Sequence, residues 1–291
     1  MKALVFGGTR YFGKRLVRLL VEDHAEVAIA TRGTTPDPFG NDVQRLIGDR
    51  TDIGFLRDCA ARGPWDMVYD QIGFSPNDAR ALCEAFEKTS GRIVFTSSSA
   101  VYSGGWALKE EAFDPSTLPI RWGSQEDFPY PEGKRLTEAV YSQHATFPVV
   151  AVRFPIVLGE DDYTGRLEFH VDRIRRGQPI HVPSLRARIS FVEAEDAAQF
   201  LFWLKNVDLA GPVNACSPES IPIGEIIRLI EGILGRKANL APIDTEQIHT
   251  PFGIKEDFTL DTGKAEGAGF SFKPLMSWLP ILVEKLASRV V

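Results

Sequence analysis

Apolar positions in the first 155 residues fall into short solid runs that alternate with longer, helically spaced stretches. Lys2-Ala-Leu-Val-Phe6 is apolar at every position after the lysine, the pattern of a strand covered on both faces. Beyond Gly13, Leu16, Leu19, Leu20 and Val21 form an apolar stripe that predicts a helix. Further strands are expected at Glu26–Thr31, Asp66–Asp70, Arg92–Ser97 and Val149–Phe154, and helices at Phe55–Arg62, Asp78–Lys88 and Glu132–His144. Strands alternating with helices predict an α/β fold: a doubly wound, Rossmann-like parallel sheet with helices on both faces.

After residue 155 the alternation loosens. Helices are expected at Arg166–Arg176, Asp196–Lys205 and Gly224–Gly235, strands at Ile189–Glu193 and Pro212–Ala215, and a loop over Pro242–Gly253. The chain thus divides into a dinucleotide-binding region, 1–155, and a smaller substrate-binding lobe, 156–291, with strands of the main sheet free to come from either side of the boundary.

Composition narrows the function. The chain has 291 residues, 44% hydrophobic, enough for a large core, and a formal net charge of −6, which disfavours non-specific nucleic-acid binding. Cys59, Cys83 and Cys216 fit neither a disulfide framework nor a zinc site, and the five histidines are scattered, so no metal is expected and a reducing cytoplasm is. No apolar run is long enough to span a membrane, and four apolar residues before Gly7-Gly8 are too few for a signal-peptide core.

Gly7-Gly8-Thr9-Arg10-Tyr11-Phe12-Gly13 joins the first strand to the first helix, a setting that aims backbone N–H groups and the positive helix end at a phosphate. Gly7 suits the tight turn and Gly13 close packing of helix on sheet, while Arg10 replaces the middle glycine and adds a cation. Gly8 to Lys14 also reads as G-x-x-x-x-G-K, but Arg15 stands where a P-loop needs Ser or Thr for magnesium. The second strand ends Thr31-Arg32-Gly33 with no carboxylate for a ribose 2′-OH. Arg32, reinforced by Arg10, suits a 2′-phosphate instead, so NADP is favoured over NAD. Asp49 is a candidate acceptor for the adenine amino group.

The fourth strand ends Ser97-Ser98-Ser99, whose side chains project alternately, so that one or two reach a cleft at the strand end. Tyr130 and Lys134 are four apart, on one face of a helix that starts there with Pro131 in its first turn. An ammonium beside a phenol favours the phenolate, and a serine hydroxyl orients a substrate oxygen: the parts of a proton relay beside a hydride carrier.

With these motifs the chain resembles an extended short-chain dehydrogenase/reductase of the NAD-dependent epimerase/dehydratase family, in a branch marked by Gly-Gly-Thr-Arg. The resemblance covers most of the chain and rests on the glycine turn, Ser97–Tyr102, Tyr130/Lys134, Arg153-Phe-Pro-Ile-Val-Leu-Gly159 and Ile189–Asp196. It implies catalytic Ser98, Tyr130 and Lys134, with Tyr130 as general acid/base. It implies a cofactor site of Gly7, Thr9, Arg10, Tyr11, Phe12, Gly13, Thr31, Arg32, Asp49, Gln71, Ile72, Gly73, Ser97, Tyr130, Lys134, Phe154, Pro155 and Ile156. It places Ser99, Tyr163, Arg166 and Arg186 at the substrate, with Arg188 nearby, and makes the helices at 78–88 and 131–144 the meeting place of a homodimer.

Two departures bear on activity. Family dehydratases carry an Asp-Glu pair just after the catalytic Ser/Thr, where this chain has Ser99-Ala100. Nucleotide-sugar epimerases carry an Asn where it has Pro155. The leading expectation is an NAD(P)-dependent oxidoreductase acting on an alcohol/carbonyl pair of a small molecule, with a sugar epimerase using transient oxidation as the alternative. A different class, a binding protein without turnover, is kept because the branch also resembles chloroplast stem-loop RNA-binding proteins. Net acidity and the intact Ser/Tyr/Lys set argue against it.

Overall fold

The computed structural model describes residues 1–243, 245 and 248–289, so positions 244, 246 and 247 of the expected 242–253 loop lie outside the described residues. The first half runs β1 (Lys2–Phe6), α1 (Tyr11–Glu22), β2 (Glu26–Thr31), β3 (Val43–Ile47), α2 (Ile53–Ala61), β4 (Met67–Asp70), α3 (Pro76–Phe86), β5 (Ile93–Ser98), β6 (Gly105–Leu108), α4 (Tyr130–His144) and β7 (Val149–Phe154). The second half adds β8 (Ile156–Leu158), α5 (Arg166–Arg176), β9 (Pro179–Ile180), β10 (Arg188–Glu193), α6 (Ala194–Trp203), β11 (Gly211–Asn214), β12 (Ser220–Pro222), α7 (Ile223–Leu234), β13 (Asn239–Leu240), β14 (Phe258–Leu260), α8 (Gly263–Gly267) and α9 (Leu275–Ser288).

Seven parallel strands form the main sheet in the order β11-β7-β5-β4-β1-β2-β3. Strand periodicity sorts its side chains. Ala3, Val5, Val27, Ile29, Val94 and Val152 pack with Leu16, Val17 and Leu20 of α1 and Ala197 and Leu201 of α6. Leu4, Phe6, Ala28, Ala30 and Phe95 pack on the other face with Leu56, Leu82, Phe86 and Val140 of α2, α3 and α4. The chain leaves β1 to build β2 and β3 on one side and returns with β4 on the other. The carboxyl ends of β1 and β4 are therefore the switch point at which ligands bind in such sheets.

A second sheet, β12-β10-β14-β6 with β8 also paired to β10, supports a lobe whose core joins Val171 and Ile174 of α5, Ile226 and Ile230 of α7, and Trp278, Leu279 and Val283 of α9. The halves interleave: β11 completes the main sheet from the second half, and β6 joins the second sheet from the first. Among the described residues no group of three or more His, Cys, Asp or Glu is placed to hold a metal, and no helix is long and apolar enough to cross a membrane.

Candidate functional site

The glycine turn sits at the switch point. Gly7 and Gly8 have φ of +98° and +83°, which side chains rarely tolerate, and the Gly7 N–H donates to the Ala30 carbonyl at 3.1 Å. Close packing of α1 falls to Gly8 as well as to Gly13, because a Cβ at Gly8 would stand 2.8 Å from Val17 Cγ2. A Cβ at Gly13 would strike the Gln71 side chain. Helix α1 begins at Tyr11, earlier than the apolar stripe predicts. Its N-cap, Arg10, makes no side-chain cap and its first turn has no acidic residue, so the leading N–H groups are left for an anion. Arg15, the residue that spoils the P-loop pattern, turns away to Asp161 and Glu195.

In front of the turn opens a cleft of about 790 Å³, lined by Gly7 to Gly13, Ala30 to Thr35, Gly48 to Thr51, Gln71, Ile72, Phe74 and Tyr163, among others. Arg10 and Arg32 both line it, and Arg10 Nη2 donates to Thr35 Oγ1 at 3.0 Å, spanning from the start of α1 to the loop after β2. Asp49 also lines the cleft, and its Oδ1 accepts from the Thr51 N–H and hydroxyl, which hold the carboxyl below the usual carboxylate range. The uncapped helix end, the positive-φ glycines and the two cations fit the phosphates of a dinucleotide.

Behind the cleft, Arg50 is buried against Asp70 (3.2 Å) and Asp78 (3.4 Å) and donates to the Ile72 carbonyl, and Tyr141 also donates to Asp70, at 2.7 Å. Sequence reasoning passed over Arg50, Thr35 and Phe74. Arg50 was within reach as the neighbour of Asp49 beyond β3, whereas nothing local marks Phe74.

The chemical residues converge beyond Phe74. Tyr130 opens α4, half-exposed, its ring 6.3 Å from Phe74. Desolvation keeps the phenol above its ordinary value, against the pull of the Ser98 hydroxyl and the Arg166 charge toward the phenolate. Lys134 is fully buried, donating to the carbonyls of Gly73 (2.7 Å) and Thr96 (2.8 Å), with its ammonium 4.5 Å from the Phe74 ring centroid and 5.9 Å from that of Tyr130. Burial lowers it to about 7.

Other expected residues are dispersed. Ser97 points into the core and donates to Glu138 Oε1 at 2.5 Å, so its hydroxyl is turned from the cleft. Phe154 packs its ring 5.7 Å from Phe12, while Pro155 and Ile156 lie outside the cleft lining, Ile156 pairing with Phe191 in the second sheet. Ser99 starts a 3-10 turn beside Ser98. Arg186 is exposed and off the cleft, and Arg188 is held by Ser220 and lies over the Trp106 ring. Tyr163, expected at the substrate, lines the cofactor cleft.

Known structures share this architecture. The chain is 18% identical to UDP-glucose 4-epimerase of Thermus thermophilus in complex with NAD, with 100% of each chain covered and a TM-score of 0.74. It is 17% identical to UDP-glucose 4-epimerase of Thermotoga maritima with UDP-glucose, with 98% of each covered and a TM-score of 0.76. It is 18% identical to UDP-glucuronic acid 4-epimerase of Bacillus cereus, with 98% of this chain and 99% of that one covered and a TM-score of 0.74. Among curated proteins it is 28% identical over 205 residues to chloroplast stem-loop binding protein of 41 kDa b from Arabidopsis thaliana, covering 65% of this chain. The chain spans about half the length of that relative, 50%. The family profile described as NAD dependent epimerase/dehydratase matches residues 3–215. The chain belongs to the NAD dependent epimerase/dehydratase family.

Proposed function

We propose that this protein is an NADP-dependent oxidoreductase that moves a hydride at an alcohol/carbonyl carbon of a small, sugar-like molecule, with Tyr130 as general acid/base. One observation carries the reading: Tyr130, with the Lys134 ammonium 5.9 Å from its ring centroid, stands beside Phe74 at the edge of a cleft suited to a dinucleotide. The bound nicotinamide supplies the hydride acceptor or donor. The Tyr130 hydroxyl takes up or gives the proton of the substrate oxygen, and Ser98 Oγ orients that oxygen. Lys134 Nζ donates to the Gly73 and Thr96 carbonyls, which hold it 5.9 Å from the Tyr130 ring centroid. Arg10, Arg32 and Thr35 support the 2′-phosphate and hence NADP over NAD.

A transient-oxidation epimerase is the second reading, favoured by the similarity to epimerases of UDP-sugars and opposed by Pro155. Native mass spectrometry followed by titration with NADPH and NADH separates the two. Nucleotide retained through purification supports the epimerase, and reversible NADPH binding supports the reductase. Tyr130→Phe is expected to lower turnover at least about a hundredfold while leaving NADPH affinity within about twofold. Full activity in that variant would remove Tyr130 from the mechanism. Failure to bind either nucleotide, with binding of a stem-loop RNA, would move the protein to the class its plant relative is named for.

A further inference from the structure

We infer that the segment Gly159–Gly165 is a clasp across the dinucleotide cleft, with Tyr163 as its contact, and that it sets the rate at which the cofactor leaves. The inference rests on the reading that this cleft holds a dinucleotide.

The segment is anchored at the cleft rather than draped over it. Asp161 pairs with Arg15 at 2.8 Å and with Lys14 at 3.3 Å, both near the start of α1. Asp162 accepts from the Thr164 N–H (2.9 Å) and hydroxyl (2.5 Å), and Gly165 ends the turn at φ +62°, so the segment is a tight, stiff turn. Between these anchors Tyr163 reaches back to the glycine turn. Its ring stands edge-on to Tyr11 at 6.1 Å, and the Arg10 guanidinium lies 5.9 Å from its centroid. Arg10 in turn bonds Thr35 on the opposite wall. Thr35, Arg10, Tyr163 and Tyr11 therefore form a continuous bridge over the part of the cleft where the phosphates would lie. Tyr163 keeps 69% of its surface exposed, so the ring is held by few contacts and has area to spare for a ligand.

Tyr11 adds a separate sign of use. It is a non-glycine residue at φ +53° and only 7% exposed, and its buried hydroxyl lacks a partner, as does Asp162 Oδ2. Burial is the main reason the Tyr11 phenol lies above its ordinary value, with the Asp162 and Asp161 charges adding to it.

The test is stopped-flow release of NADPH, or of NADH if that is the nucleotide bound, chased with excess oxidised cofactor. Tyr163→Ala and Asp161→Asn are each expected to release it roughly tenfold faster, and Tyr163→Phe, which keeps the ring, at the wild-type rate. Tyr163 and Asp161 are exposed, so these variants should keep the fold. Unchanged release in Tyr163→Ala overturns the clasp while leaving the cofactor reading intact. A wild-type protein that binds neither nucleotide overturns both.

Discussion

The main sheet and the lobe around α5, α7 and α9 bury polar groups in opposite ways. In the sheet, charges go inside and are paired. Arg153 on β7 lies against Glu138 on α4 at 2.6 Å, both side chains wholly buried, and donates to the Tyr102 hydroxyl and the carbonyls of Glu110 and Phe113. Tyr102 passes the bonding on to Asn214 of β11, and Asn214 donates to the carbonyl of Asp261 beyond β14. In the lobe, the core is aliphatic and aromatic, its buried imidazole, His170, is held by the Arg166 carbonyl and Thr250, and charges pair at the surface, as Lys285 does with Glu160. The difference follows from topology. A sheet whose strands come from both halves of the chain gains register from directional bonds, whereas three helices on a small sheet can rely on apolar fit.

Removing one charge from each region should expose the contrast most strongly. Arg153→Met leaves Glu138 buried without its partner and is expected to cost about 3–5 kcal/mol in urea unfolding. Lys285→Ala breaks an ion pair whose side chains are each about half-exposed, 53% and 50%, and should cost less than about 1 kcal/mol. Equal losses would show that the sheet network is no more than surface-like in strength.

The two regions should also respond to acid in different windows. Burial lowers His170 in the lobe to about 4 and Lys134 under the sheet to about 7. In each case the unfolded chain binds the extra proton first, so stability is lost as pH falls. For His170 the loss runs from the unfolded value near 6.5 down to about 4. For Lys134 it runs from 10.5 down to about 7 and is complete at neutral pH. Each is expected to give a slope of at most about 1.4 kcal/mol per pH unit. Unfolding midpoints across pH for wild type, His170→Gln and Lys134→Met check it. If His170→Gln keeps the wild-type slope between pH 4 and 6.5, the imidazole does not carry that loss.

The same topological difference decided what could be read from the chain alone. Strands β1, β2, β4, β5 and β7 each carry an apolar run of at least three residues, and they were legible with their helices to within two or three residues. Strand β3, Val43-Gln44-Arg45-Leu46-Ile47, is an edge strand with only two buried positions, so it shows no run. Strands β6 and β14 pair Gly105 with Phe258 across 153 residues and are four and three residues long, too short to carry a period. Helix α9 is apolar enough but interrupted by Pro280. At the site, spacing brought out Tyr130 and Lys134, and the resemblance picked Ser98 from three serines. That Ser97 turns to Glu138 and that Tyr163 stands beside Tyr11 and Arg10 depend on contacts distant in sequence.

Backbone tolerance sharpens the comparison at smaller energies. Gly8→Ala places a methyl 2.8 Å from Val17 Cγ2 at φ +83° and is expected to destabilise by about 1–3 kcal/mol, with a matching loss of NADPH affinity if α1 tilts off the sheet. Wild-type stability in this variant would mean the glycine turn is looser than its packing implies.

Gly232 in the lobe is the opposite case and the smallest effect. It lies inside α7, exposed, and a Cβ built there meets nothing within 4 Å. Its backbone is helical, so alanine adopts it without strain, and the unfolded chain loses freedom that glycine would otherwise retain. Gly232→Ala is therefore expected to stabilise by about 0.5–1 kcal/mol, a rise of roughly 1–3 °C in thermal midpoint for a chain of this size. The gain should appear in full only if α7 unfolds together with the rest of the molecule. If the lobe opened on its own before the sheet, the substitution would shift an early transition and leave the main one in place, and differential scanning calorimetry would resolve two peaks. A single peak moved upward ties the lobe to the sheet through the interleaved strands β6 and β11. Two peaks would mean that the Arg153 network holds the sheet without holding the lobe to it.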